Sequence, residues 1–211
     1  KIDKLDYPLI VKPATLGSSI GIRTVKQKEE LDTIINEVLK YDRKVIVEEL
    51  IDDVLEYNIS ILKTNDKLYI SSIEEIETDL DYLEYNDKCN LENYLNGNII
   101  RNVPAKIPEK MSSEIIELAK KTINFLNNTG LSRVDFLYDK KKKKLYVDEI
   151  NSIPTCFSHH LWEDANISYK ELLNIMINDT IKNVNKDSEM ITTMDMDVLK
   201  DLKNSDIKEY K

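Results

Sequence analysis

The sequence predicts an α+β fold of antiparallel sheets with packed helices, and three observations carry that prediction. Short, β-branched, partly alternating runs recur through the chain. Helical spacing of apolar residues, with capping signals beside it, marks three further segments. Several of the strand-like runs adjoin through short polar turns, as antiparallel neighbours do. At 211 residues and 41% hydrophobic content, the chain can fill one sizeable core or two small lobes that share a cleft.

PLIVK (8–12) and SIGIRTV (19–25) read as two strands joined by a Gly-Ser loop. Thr24 and Gln27 suggest a capping box for a helix over 27–40, where Leu31, Ile34, Ile35, Val38 and Leu39 recur at helical spacing. KVIVEEL (44–50) is a strand with two carboxylates at its exit. LEYNISILK (55–63) and KLYISSIEEI (67–76) read as a hairpin across the turn TNDK. Residues 77–110 are polar, contain Pro104 and Pro108, and read as a long connection. A helix near 112–128 gathers Ile115, Ala119, Ile123 and Leu126 on one face and ends before Gly130, a left-handed cap candidate. VDFLYD and KKLYVDEI form two strands around the lysine run 140–144, itself read as a solvated turn. Ser168 and Glu171 then open a helix that buries Leu172, Leu173, Met176 and Ile177. From Lys186 the chain reads as an appended helix or tail.

Charge excludes some functions. Thirty Lys and Arg against 39 Asp and Glu leave a net charge of -9, which opposes binding to nucleic acid or anionic membrane. No apolar run reaches the roughly 18 residues of a membrane span, and KIDKLDYP lacks the apolar core of a secretion signal, so the protein reads as cytosolic. Cys89 and Cys156 are read as free thiols. A first residue other than Met, with a strand soon after it, reads as a piece of a longer polypeptide.

Two constellations carry chemistry. In TLGSSIG, successive backbone N–H groups, two hydroxyls and the conformational freedom of glycine suit phosphate oxygens, with Lys12 adding a point charge. An ordinary Gly-Ser turn is the competing reading, and neither a P-loop nor GxGxxG is present. The second is Arg133 and Asp135 on one strand with Asp148, Glu149 and Asn151 on the next. Strand alternation places 133 with 135, and 149 with 151, so pairing across the lysine turn brings Asp135, Glu149 and Asn151 together. Oxygen ligands without His or Cys suit Mg2+ better than Zn2+, and Arg133 is placed to offset developing negative charge. A solvated sheet face is the alternative. Glu48, Glu49 and Glu56 are acceptor candidates for an adenine amino group and ribose hydroxyls, and Lys88 is a cation on the long connection. His159 and His160 lack a third metal ligand and a Ser-His-Asp context.

Taken in order, VKPATLGSSIGI, VEEL with LEYNI downstream, SRVDFLYD and LYVDEINSIP resemble the ATP-grasp superfamily, and within it the D-alanine:D-alanine ligases, over about residues 5 to 180. The resemblance implies an ATP-grasp fold missing its N-terminal part, with about the last two thirds of such a ligase present. It assigns 1–50 to the remainder of the small lobe, 51–185 to the large lobe with the Mg site, and 186–211 to an appended helix or tail. Carried over by motif, Lys12 resembles the lysine on the ATP phosphates and Ser18 the serine of the loop that closes on the site. Glu48, Glu49 and Leu50 resemble the hinge that reads adenine, Glu56 the ribose-binding glutamate, and Lys88 the mobile-loop lysine. Asp135, Glu149 and Asn151 match the ligands of Mg2+, or of Mn2+ in its place, and Arg133 matches the arginine that stabilises the tetrahedral intermediate.

The implied reaction joins small amino acids for peptidoglycan and the cell wall, through an acyl phosphate made with ATP. A homodimer formed through the N-terminal domain is also implied. After Asn151 the text departs from the family: Thr155 stands where a glycine is usual, the loop before the next helix is shorter, and His159 and His160 are candidate specificity residues. A ligase for other amino acids, a nucleotide-binding module without ligase activity, and a structural domain are the alternatives.

Overall fold

Leu9, Val11 and Pro13 alternate with Ile10 and Lys12, and the computed structural model buries the first set along β1 (Leu9–Pro13). It describes residues 2–17, 19–78 and 99–188. Strand β1 is central in a three-stranded antiparallel sheet, between β2 (Arg23–Val25) and β3 (Val45–Glu49). Helix α1 (Leu31–Val38) covers one face, closing a small core of Leu9, Val11, Val25, Leu31 and Val38. Alternation puts Ile10 and Lys12 on the other face. Glu48 is opposite Ile10 in the register, hence diagonal to Lys12.

The strand expected over 19–25 is shorter because Ser19 and Gly21 take positive φ, which ends the ladder at Arg23. Gly21 is required there: φ is +78°, and a Cβ would lie 3.0 Å from the Pro13 ring and 3.3 Å from Tyr41. Thr24 is inside β2, so it caps nothing. Glu30 instead accepts from the N–H groups of Lys26 and Gln27, ahead of a single 3-10 turn and α1.

The larger sheet is also antiparallel, ordered β6-β5-β4-β7-β8, with β4 (Val54–Lys63), β5 (Leu68–Thr78), β6 (Ile99–Asn102), β7 (Gly130–Asp139) and β8 (Lys144–Asn151). Helix α2 (Glu109–Phe125) lays Ile115, Ala119 and Ile123 on the face formed by Tyr57, Ile59, Ile73, Val134 and Phe136. Helices α3 (His159–Asp164) and α4 (Tyr169–Ser188) cover one end of the opposite face. There Trp162 and Leu172 pack on Leu62 and Leu131. The central strand β4 is therefore buried on both sides. At a register shift between Ile59 and Ile61, the Ser60 N–H donates to the Ser71 hydroxyl at 2.8 Å, which replaces the lost ladder bond.

Three expectations need correction. The long connection over 77–110 contains β6, which extends the sheet past β5; 79–98 lie outside the described residues. Helix α2 begins at Glu109 and ends in a left-handed Asn127 (φ +49°), with Asn128 N–H donating to Ile123 O and Asn127 N–H to Asn124 O. This is a Schellman closure made by asparagine, and Gly130 instead opens β7. In α4 the Ser168 hydroxyl accepts from the Glu171 N–H as expected, but the buried stripe is Leu172, Ile175 and Met176, with Ile177 55% exposed. No helix among the described residues is long and apolar enough to cross a membrane.

Candidate active site

The uncovered end of the larger sheet carries a row of polar side chains. Register places Glu149 opposite Asp135, Asp135 opposite Asn58, and Asn58 opposite Glu74, so four neighbouring strands present these groups on one face. In the next row Arg133 is opposite Asn151. Arg133 grips Asp135 through two bonds, Nε to Oδ1 at 2.7 Å and Nη2 to Oδ2 at 2.8 Å. The Asn151 amide donates to Asp135 at 2.9 Å and to Glu149 at 3.2 Å. Burial alone lowers the Arg133 pKa, but Asp135, Glu56 and Glu74 outweigh it, so the guanidinium is held charged.

A divalent cation fits this donor set. The Asn151 amide nitrogen bonds both carboxylates as a partial positive charge between them. With the amide turned to present Oδ1, the same three groups offer hard oxygen ligands to Mg2+. No three His, Cys, Asp or Glu side chains cluster as a metal set among the described residues, so the set here depends on the Asn151 amide for its third ligand.

Asp148 arrives by a different route. Asp135 pairs with Glu149 but Phe136 pairs with Val147, so Asp148 is the extra residue of a β-bulge. Its carboxylate accepts from Lys12 Nζ at 3.2 Å, and Lys12 also contacts Glu48 at 2.7 Å. Desolvation pushes the Asp148 pKa up, with Glu149 and Glu48 adding to it and Lys12 opposing. Burial lowers the Lys12 pKa, and Asp148 and Glu48 more than reverse that, so the net shift is upward. Between the two sheets lies an open cleft whose walls include Lys12, Gly17, Ser19, Glu56, Asp135 and Glu149. Asp42 fastens the start of its loop by accepting from the Thr15 N–H at 2.7 Å and hydroxyl at 2.8 Å.

Of the residues singled out in the sequence, Lys12, Glu48, Glu56, Arg133, Asp135, Glu149 and Asn151 converge on this cleft or its floor. Glu49 faces away from Glu48 and accepts from the Asp6 N–H at 3.3 Å. The Leu50 N–H donates to Pro8 O at 2.9 Å. Ser18 and Lys88 lie outside the described residues. Sequence reasoning missed Asn58, Glu74 and Arg101, and it did not pair Asp148 with Lys12. For Glu74 the only available signal was a carboxylate within a strand of Ile and Ser.

Two antiparallel sheets that close on a cleft, with lysine on one wall and carboxylates on the other, define the ATP-grasp class of fold. The chain belongs to the family described as D-ala D-ala ligase C-terminus, whose model matches residues 1–178. It is 39% identical over 173 residues to a D-alanine--D-alanine ligase of Thermosipho africanus, covering 82% of this chain and 46% of the relative. A Lactococcus lactis ligase of the same name is 34% identical over 180 residues, covering 83% and 50%. Among solved structures, VanG D-Ala:D-Ser ligase from Enterococcus faecalis superposes with a TM-score of 0.68 at 30% identity, over 84% of this chain and 51% of that one. The D-alanine-D-alanine ligase from Coxiella burnetii gives 0.69 at 23% identity over 86% and 47%, which supports the fold. The chain thus spans about half the length of the curated relatives it matches, not two thirds.

Proposed function

We propose that this chain carries the nucleotide and metal site of an ATP-dependent carboxylate-amine ligase of the D-alanine--D-alanine type, acting in peptidoglycan synthesis. One observation carries the reading: Asp135, Glu149 and Asn151 share a face beside Arg133, and Lys12 reaches the neighbouring Asp148 from the other sheet. Residues 1–50 supply part of the small lobe, 51–185 the large lobe, and 186–211 an appended segment.

In this reading Lys12 leaves Asp148 and Glu48 for the phosphates of ATP, helped by the N–H groups and Ser18 of the glycine loop. Glu48, Glu49 and Leu50 border the adenine, Glu56 takes the ribose hydroxyls, and Lys88 closes over the phosphates. Asp135, Glu149 and Asn151 would hold Mg2+ or Mn2+, which would supply positive charge to offset that of the phosphates during transfer to a carboxylate. Arg133 is placed to stabilise the oxyanion formed when an amine attacks the acyl phosphate. The named relatives join D-alanine to D-alanine or, for VanG, to D-serine, and small amino acids are proposed here.

The test is a thermal titration with Mg-ATP. At a hundred times its dissociation constant the ligand adds about 2.7 kcal/mol, a rise of roughly 5–10 °C for a protein of this size. A melting temperature that ignores Mg-ATP at every concentration overturns the reading. A second outcome follows from the bulge. Asp148→Asn removes one competitor for the Lys12 ammonium and is expected to tighten Mg-ATP binding by about three- to tenfold, of order 1 kcal/mol, measured by calorimetric titration. Weaker binding would mean that Asp148 serves the metal instead.

A further inference from the structure

Among the described residues the chain crosses from the smaller sheet to the larger once, at residues 50–53 between β3 and β4. That crossing is acidic, with Glu48, Glu49, Asp52 and Asp53 in close succession. The lysine run that the sequence assigns to a solvated turn lies against it. Val54 pairs with Asp139 at the end of the β4–β7 ladder, so the register delivers Lys140 beside Asp53. The Lys140 N–H donates to Asp53 O at 3.3 Å, and its ammonium pairs with the Asp53 carboxylate. Lys141 Nζ lies 3.7 Å from Asp52, and Lys142 Nζ lies 4.0 Å from Glu49. Consecutive lysines thus meet carboxylates in reverse chain order.

Backbone geometry holds both sides of this contact. Asp53 has φ +56° and Lys143 φ +51°. The buried Asp139 carboxylate accepts from the Lys142 N–H at 2.8 Å, which shapes the turn. An isolated exposed ion pair contributes little, because ordering two long side chains offsets its attraction, whereas several pairs on fixed backbones act as a network. The third pair also spans the crossing, since Lys142 belongs to the β7–β8 hairpin and Glu49 to β3. On the same hairpin Asp148 meets Lys12 of β1. The hairpin that carries Asp135, Glu149 and Asn151 therefore touches the smaller sheet at two places, at the cleft and at its turn.

We propose that Lys140, Lys141 and Lys142 form a strap that fastens the crossing and so sets the angle between the two sheets. They are positioning residues for nucleotide binding, acting through the crossing and not through contact with ATP. The role in binding rests on the ATP reading; the angle between the sheets does not. Salt loosens the strap, because all six partners are at least 39% exposed and exposed charges are screened.

The test uses the natural polypeptide containing residues 1–211, with Lys140→Gln, Lys141→Gln and Lys142→Gln combined. Spin labels are placed at the exposed positions Asn36→Cys on α1 and Lys121→Cys on α2, with the native cysteines changed to serine. At low salt the Gln variant is expected to show a wider label-to-label distance distribution than the wild type, while Arg at the same three positions keeps it narrow. At about 0.5 M salt the wild type is expected to widen toward the Gln variant. Calorimetry at low salt is expected to show Mg-ATP binding about three- to tenfold weaker in the Gln variant. Lost attraction for ATP through charge alone would leave the distances unchanged, so the distances decide. Equal distributions for the wild type and the Gln variant at low salt overturn the proposal, whatever the affinities. A wild type that ignores Mg-ATP, beside a Gln variant whose distribution widens, removes the ATP reading and leaves the strap.

Discussion

Asp135→Asn is expected to erase the stabilisation by Mg-ATP and also to destabilise the unliganded fold. The two effects have separate causes. The first follows from removing one charged oxygen from the proposed set of three ligands, which leaves Glu149 as its one anionic member. The second follows from Arg133, whose side chain is 23% exposed and whose guanidinium donates two bonds to Asp135. Breaking a buried pair from one side costs about 3–5 kcal/mol. With Arg133 partly in reach of water and the amide oxygen of Asn still an acceptor, about 2 kcal/mol is the better expectation.

A double variant separates them. Arg133→Gln with Asp135→Asn replaces the ion pair by two amides that can bond each other, so most of the lost stability returns. The response to Mg-ATP does not, because the anionic ligand is still missing. Urea unfolding gives the first quantity and thermal titration the second. Full retention of the ligand response in Asp135→Asn would move the metal away from this strand.

The sequence made the proposed metal row readable because strand periodicity is rigid. Once VDFLYD and KKLYVDEI are paired across the lysine turn, side-chain alternation leaves Asp135, Glu149 and Asn151 on one face. The same rule misled at Asp148, which alternation assigns to the opposite face from Glu149. One inserted residue in β8 brings it to Lys12, and no local composition announces such a bulge. Strand β6 was missed for a related reason: Ile99–Asn102 is short and acquires its ladder from β5, a tertiary partner. The helix end at Asn127 shows the limit of reading caps from glycine, since asparagine also enters the left-handed region. Glu74 was hidden because surface acids are frequent in this chain, and only the fold shows that this one is buried. The Gly-Ser loop and Lys12 were legible as a phosphate-binding candidate, whereas the contact of Lys12 with Asp148 depends on how two sheets meet.

The buried carboxylate also sets the behaviour of the protein in acid. Burial by itself raises the Glu74 pKa, but the bonds from His160 and Arg101 and their charge overcome it and bring the value down to about 2 from an ordinary 4.5. A carboxylate whose folded pKa lies below its unfolded pKa binds its proton more tightly in the unfolded chain. Its contribution is therefore complete above about pH 4.5 and is lost as the pH falls toward 2. The difference corresponds to about 3 kcal/mol. Glu74→Gln keeps an oxygen acceptor for Arg101 and His160 but cannot titrate, so its unfolding free energy should vary less between pH 5 and pH 3 than that of the wild type, in urea titrations at each pH. Parallel acid limbs for the two proteins would show that Glu74 does not ionise as described. Arg101→Leu is the sharper perturbation. It leaves the Glu74 charge buried with only the imidazole and an amide, whereas removal of Glu74 frees Arg101 and His160, which are 34% and 44% exposed, to reach water. Arg101→Leu should therefore cost more stability at pH 7 than Glu74→Leu, roughly 3 kcal/mol against 1 or less, and part of that cost should disappear below pH 4.5 as the carboxylate protonates.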